Sequence, residues 1–230
     1  MITASGSYRL TSNLYRSTPL FGSQNEHFIE ITANDVSVDL GGFQILCTVL
    51  LAGSCSGSGA GVAAPTFHSG ISVKNGSITG MGTDGVRVGA QSIVSDLRVH
   101  HNGQYGIYAS FGSLVSGNTV FNNGSHGILA IKGSTVSGNT VHNNGDDGIS
   151  VYDGVTVSGN SVYENEGNGI AAINGSNVSG NTVWRNGEFG LSLSTGVGYR
   201  ENVLSGNTSG TVDAGVNTGG NLCDGSLTCP

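Results

Sequence analysis

From residue 112 the chain repeats itself every 21 residues without an insertion. Residues 112–132 read GSLVSGNTVFNNGSHGILAIK, 133–153 GSTVSGNTVHNNGDDGISVYD, 154–174 GVTVSGNSVYENEGNGIAAIN and 175–195 GSNVSGNTVWRNGEFGLSLST. Asn118, Asn139, Asn160, Asn181 and Asn202 form one series at this spacing, and Asn102, Asn123, Asn144, Asn165, Asn186 and Asn207 a second. Gly85, Gly106, Gly127, Gly148, Gly169 and Gly190 form a third, which carries the register back to residue 70. A unit this short cannot bury an apolar face alone, so successive units must stack into one continuous core.

Each unit contains three short runs in which Val or Ile alternates with polar residues, such as 135–137, 140–142 and 149–151. Alternation of period two between Gly and Asn punctuation predicts strands rather than helix. Twenty-one residues are too few for a propeller blade, and no leucine-rich pattern is present. Three strands per turn would place Val115/Val136/Val157/Val178, Val120/Val141/Val162/Val183 and Ile107/Ile128/Ile149/Ile170/Leu191 in three internal columns. Gly supplies 40 of the 230 residues. Gly and Asn are expected at the bends because both tolerate the left-handed backbone conformation. Stacked Asn side chains would satisfy polar groups there.

The SGNTVxNNGxxGI unit with its asparagine columns resembles the right-handed parallel β-helix proteins of the pectate-lyase-like superfamily, strongly over residues 71–213. The opening ASGSY and the stretch NDVSVDLGGF at 34–43 resemble the first rungs of secreted bacterial members. The implied fold class is all-β: a single-stranded right-handed parallel β-helix, a three-sheet solenoid of ~9–10 rungs and roughly 45 Å length at ~4.8 Å per turn. One domain, 1–230, is expected: N-terminal rungs at 1–46, an excursion at 47–65, regular rungs at 70–212 and a C-terminal cap at 213–230.

The four cysteines lie in two close pairs, Cys47/Cys55 and Cys223/Cys229, with no C-x-x-C spacing or clustered His that would suggest zinc. Two local disulfides in an exported, secreted or periplasmic protein are the expectation. Met1-Ile2-Thr3-Ala4 has neither a basic start nor an apolar stretch, so a mature form is expected. Two Lys and six Arg make no basic patch, which argues against nucleic acid. No apolar run approaches the ~18 residues of a membrane span. The net charge of −7 disfavours a polyanionic partner unless Ca²⁺ bridges the carboxylates; no other cofactor and no resident metal set is indicated. The oligomeric state is left open.

Columns that change residue type carry the functional information. One reads His100, Phe121, His142, Tyr163, Trp184; its rings can stack on sugars or simply support parallel strands. A second lies before the Gly-Ile strand and reads Asp84, Tyr105, His126, Asp147, Asn168, Phe189. Arg87 and Tyr108 follow on that strand, with Tyr152, Lys132 and Asp153 beyond it. Enzymes of the resembled superfamily commonly use the outer face of this sheet. With that resemblance the cluster nominates Asp146, Asp147, His126 and Lys132 as catalytic and Arg87, Tyr105, Tyr108, Tyr152 and Asp153 as substrate-binding, and the aromatic column adds Trp184 and Tyr163 to the binding set. Paired carboxylates beside a His suit general acid–base work. The Asp146-Asp147-Gly148-Ile149 step and Ser125-His126-Gly127-Ile128 look like polygalacturonase-type hydrolase motifs. They depart from them in order, because the His turn precedes the Asp-Asp turn here. Three readings follow: a glycan-binding or surface module that interacts with polysaccharide; a lyase, epimerase or glycoside hydrolase; and a structural or ice-contacting solenoid, the last through a Thr-x-Ser array.

Overall fold

The computed structural model describes residues 1–18, 26–49, 55, 57–65 and 67–230, and among them every regular element is a strand. Alternation within each three-residue strand turns the central or flanking aliphatic residue inward. Val115, Val136, Val157 and Val178 are fully buried and pair in parallel, each over the next. Val120, Val141, Val162 and Val183 do the same, as do Ile107, Ile128, Ile149, Ile170 and Leu191. The stacked parallel solenoid expected from the repeat is what forms.

Its three faces are hydrogen-bonded as two sheets, of 18 and nine strands. Ser72–Thr79 and Ile93–His100 each run as one strand across the first two faces. They bend at Asn75 and Asp96, which take φ of 62° and 55°. From Leu114–Ser116 onward the same bend falls at Gly117, Gly138, Gly159 and Gly180, and each strand divides in two. The third face, with strands such as Ile107–Ala109 and Ile149–Val151, stands alone as the nine-stranded sheet.

Both asparagine columns are buried ladders. Asn139 Oδ1 accepts from Asn118 N and Nδ2, both at 3.0 Å, and the pattern recurs every turn. The second column repeats it, with Asn144 Oδ1 accepting from Asn123 N at 3.1 Å and Nδ2 at 2.9 Å. Each amide also donates to a carbonyl of the preceding turn, such as Val136 O for Asn160. One side chain therefore fixes the backbone at a bend and the spacing to its neighbour. A third ladder went unread in the sequence. Ser92, Ser113, Ser134 and Ser176 are buried, and Ser92 N donates to Ser113 Oγ and Ser113 N to Ser134 Oγ, both at 3.1 Å. Val155 interrupts it.

The ends depart from the 21-residue period. Val38 pairs with Val73 and Val62 with Val86, so the first turns are longer. Within the stretch expected to loop out, Val62–Ala63 returns to the nine-stranded sheet; residues 50–54 and 56 of that stretch lie outside the described residues. At the other end the expected cap begins with a further pass, Val216–Asn217 and Leu222–Cys223, over Gly198–Arg200 and Val203–Ser205. Tyr199 occupies the valine column there, is fully buried, and donates its hydroxyl to Pro230 O.

Both disulfides form as paired from the sequence, with Cα separations of 5.7 Å for Cys47–Cys55 and 5.4 Å for Cys223–Cys229. Loops this short remove about 2 kcal/mol each of unfolded-state freedom. Reduction should therefore shift the denaturant midpoint downward in equilibrium unfolding; an unchanged midpoint would contradict both pairings.

Candidate functional site

The nine-stranded sheet turns one side chain per strand outward, and the corner before each strand adds another. At that corner Asp84, Tyr105, His126, Asp147, Asn168 and Phe189 stand one per turn. The column has its own backbone logic. A carboxylate or carboxamide here accepts the N–H of the residue one turn on: Asp84 Oδ1 from Tyr105 at 3.2 Å, Asp147 Oδ1 from Asn168 at 2.8 Å, and Asn168 Oδ1 from Phe189 at 3.1 Å. Where His126 stands in that place, Asp146 Oδ1 takes the Asp147 N–H instead, at 3.0 Å. Asn168 Nδ2 adds a second bond to Asp147 Oδ1 at 2.9 Å.

These bonds bring three of the nominated residues together. His126 Nδ1 lies 3.4 Å from Asp146 Oδ2 and 3.7 Å from Asp147 Oδ2. That nitrogen is buried and has no hydrogen-bond partner. The Tyr105 ring lies parallel to the imidazole, 5.7 Å away and 7° from coplanar in tilt. Two turns earlier, Arg87 Nε donates to Asp84 Oδ2 at 2.6 Å, and its guanidinium covers the Tyr108 ring at 4.3 Å. Burial pushes the Asp84 carboxyl above its ordinary value, against the opposing pull of Arg87. Arg87 is thus engaged by the protein on two sides.

Lys132 does not join His126. It lies across the strand, at the trailing edge, where with Phe111, Ile131, Tyr152 and Asp153 it lines an open hollow of about 250 Å³. Phe111 and Tyr152 are 52% and 48% exposed, so apolar ring surface is offered to solvent beside a cation and a carboxylate. Tyr163 and Trp184 lie on a different face, in the 18-stranded sheet. There His100, Phe121, His142, Tyr163 and Trp184 form one unbroken stack, with centroids 4.6, 5.0, 4.8 and 4.7 Å apart. Burial, with His101 and Arg98 beside it, pulls His100 down to about 4, so that ring is neutral near pH 7. The interior rings of this column spend their faces on one another and present edges outward.

The missed residue is Asn168, which anchors Asp147; its place 21 positions further along the same column was the available signal. Chemically, the corner offers an imidazole nitrogen between two carboxylate oxygens, and the trailing edge offers an amphipathic shelf.

Residues 29–156 and 60–209 match the family described as the right handed beta helix region. No curated protein matches the chain by sequence. Among solved structures, the A-module of the Azotobacter vinelandii mannuronan C-5 epimerase AlgE4 superposes with a TM-score of 0.57 at 11% identity, covering 93% of this chain and 86% of that one. The periplasmic alginate epimerase AlgG gives 0.58 at 17% identity, covering 82% and 58%. The enzymatically active domain of bacteriophage CBA120 tailspike protein 2 gives 0.66 at 15%, covering 95% and 42%. The chain therefore spans well under two thirds of the last two, and at these identities the likeness is one of fold.

Proposed function

The chain belongs to the right-handed β-helix proteins, and from that premise we propose that it is an extracytoplasmic polysaccharide-binding module that holds its glycan along the nine-stranded sheet. The carrying observation is the trailing-edge hollow, where Phe111 and Tyr152 stay exposed between Lys132 and Asp153. An apolar ring surface rimmed by polar tips suits the face of a sugar ring with its hydroxyls turned sideways. At about 250 Å³ the hollow is smaller than the ~300–1,000 Å³ of sites that engulf a small molecule, so it suits one or two units of a longer polymer. Tyr105, Tyr108 and Arg87 would extend the track to the leading corner. With a net charge of −7, the favoured glycan is neutral, or acidic and bridged by cations. Two disulfides support the location. The named relatives that act on alginate lend the glycan class a precedent in the same fold.

Affinity electrophoresis through gels containing individual polysaccharides tests this reading. Retention by at least one gel is expected, with Tyr152→Ala and Phe111→Ala each weakening it about tenfold. Absence of retention on every gel would count against it. The enzymatic alternative is favoured by one observation, His126 Nδ1 standing between two carboxylates. Release of unsaturated or shortened products that disappears in His126→Ala would replace the binding reading with that one.

A further inference from the structure

We propose that His126, Asp146 and Asp147 form a binding site for one divalent transition-metal ion of the Zn²⁺ type. It does not rest on the glycan reading, whose carrying observation is the hollow at the opposite edge of the sheet. The first support is distance. Zinc bound to nitrogen and oxygen at ~2.0–2.2 Å with tetrahedral angles sets its ligand atoms ~3.4 Å apart. His126 Nδ1 stands 3.4 and 3.7 Å from the two carboxylate oxygens, and the three ligand atoms lie within 4.8 Å of one another. A protonated imidazole pairing with a carboxylate would close to ~2.7–2.9 Å. Here Nδ1 instead stands off both partners and makes no hydrogen bond, although it is buried.

The second support is preorganisation. Each carboxylate has one oxygen tied to the frame and the other turned toward His126. Asp147 Oδ1 is held by Asn168 N and Nδ2, and Asp146 Oδ1 by Asp147 N. The Tyr105 ring lies parallel to the imidazole. Such supports around ligands fix their orientation and raise affinity. Two carboxylates would neutralise the ion, and the imidazole must be neutral, with its Nδ1 lone pair inward. Ca²⁺ asks for six to eight oxygens at ~2.3–2.6 Å, whereas this site offers one nitrogen and two carboxylates. The Asp146 side chain is 49% exposed, which leaves a fourth position open to water.

The test is isothermal titration of chelator-treated full-length protein with ZnCl₂, and separately with CaCl₂. One saturable Zn²⁺ site per chain, tighter than Ca²⁺, is expected. His126→Ala and Asp146→Asn should each weaken it at least ~10-fold. Asp146→Asn retains the oxygen that receives the Asp147 N–H, so the fold survives that change; thermal melts of both variants verify it. No saturable Zn²⁺ binding would overturn the proposal. So would binding unchanged in both variants, or Ca²⁺ binding as tightly as Zn²⁺.

Discussion

Asn160→Ala is expected to lower the unfolding free energy by about 4 kcal/mol, the summed effect of several orphaned buried groups at ~1–3 kcal/mol each. Asn160 Oδ1 accepts from both Asn139 N, at 2.9 Å, and Asn139 Nδ2, at 3.0 Å. Its Nδ2 donates to Val136 O, Ser158 O and Asn181 Oδ1. Alanine removes the acceptor of the Asn139 donors at a buried position, and the loss falls on two turns at once. Urea unfolding followed by circular dichroism measures it. Thr156→Ala, on an exposed position four residues earlier, is the control and should stay within ~0.5 kcal/mol. Equal effects from the two substitutions would mean that the ladder is ornamental.

Gly127→Ala should cost about 3 kcal/mol, at the upper end of overpacking effects. A Cβ at Gly127 would lie 2.5 Å from Val141 Cγ1, 2.7 Å from Asn144 Nδ2 and 2.7 Å from Gly148 O. Two of those atoms belong to the asparagine ladder and the next turn's backbone, so relief requires the turns to separate. Gly138 provides the contrast, for it takes φ +65° and a Cβ there meets nothing within 4 Å. Gly138→Asn should be nearly silent, because Asn143 already adopts the same conformation at φ 53°. If Gly127→Ala melts at the parent temperature, tight stacking at this column is not what excludes side chains.

That contrast marks how much could be read from the residues alone. Unbroken spacing placed the valine, isoleucine and asparagine columns correctly, because stacking in register turns a linear period directly into vertical neighbours. The reason for each glycine was not legible. Those at 117, 138, 159 and 180 serve a left-handed bend, while those at 106, 127, 148 and 169 serve close approach, and a period cannot tell them apart. The merging of two faces into one sheet was also hidden, since it depends on whether the backbone hydrogen bonds run through the bend at Asn75 and Asp96. At the candidate site, the 21-residue offset brought His126 beside Asp147, but the capture of Asp147 by Asn168 needed side-chain geometry. The distance between Lys132 and that corner follows from strand direction: residues on opposite ends of one strand share a face without sharing a site.

Trp184, the only tryptophan of the chain, ends the aromatic stack against Tyr163, with the Arg185 guanidinium 5.2 Å from its ring. A single indole packed beside a phenol and a cation gives the protein one tryptophan, whose emission can be excited apart from that of the seven tyrosines. Its emission colour and quenching report whether two particular neighbouring coils remain closed. Because coils in such a rod touch only their neighbours, comparing that optical signal with whole-molecule dichroism would reveal whether the rod comes apart at once or frays from one end.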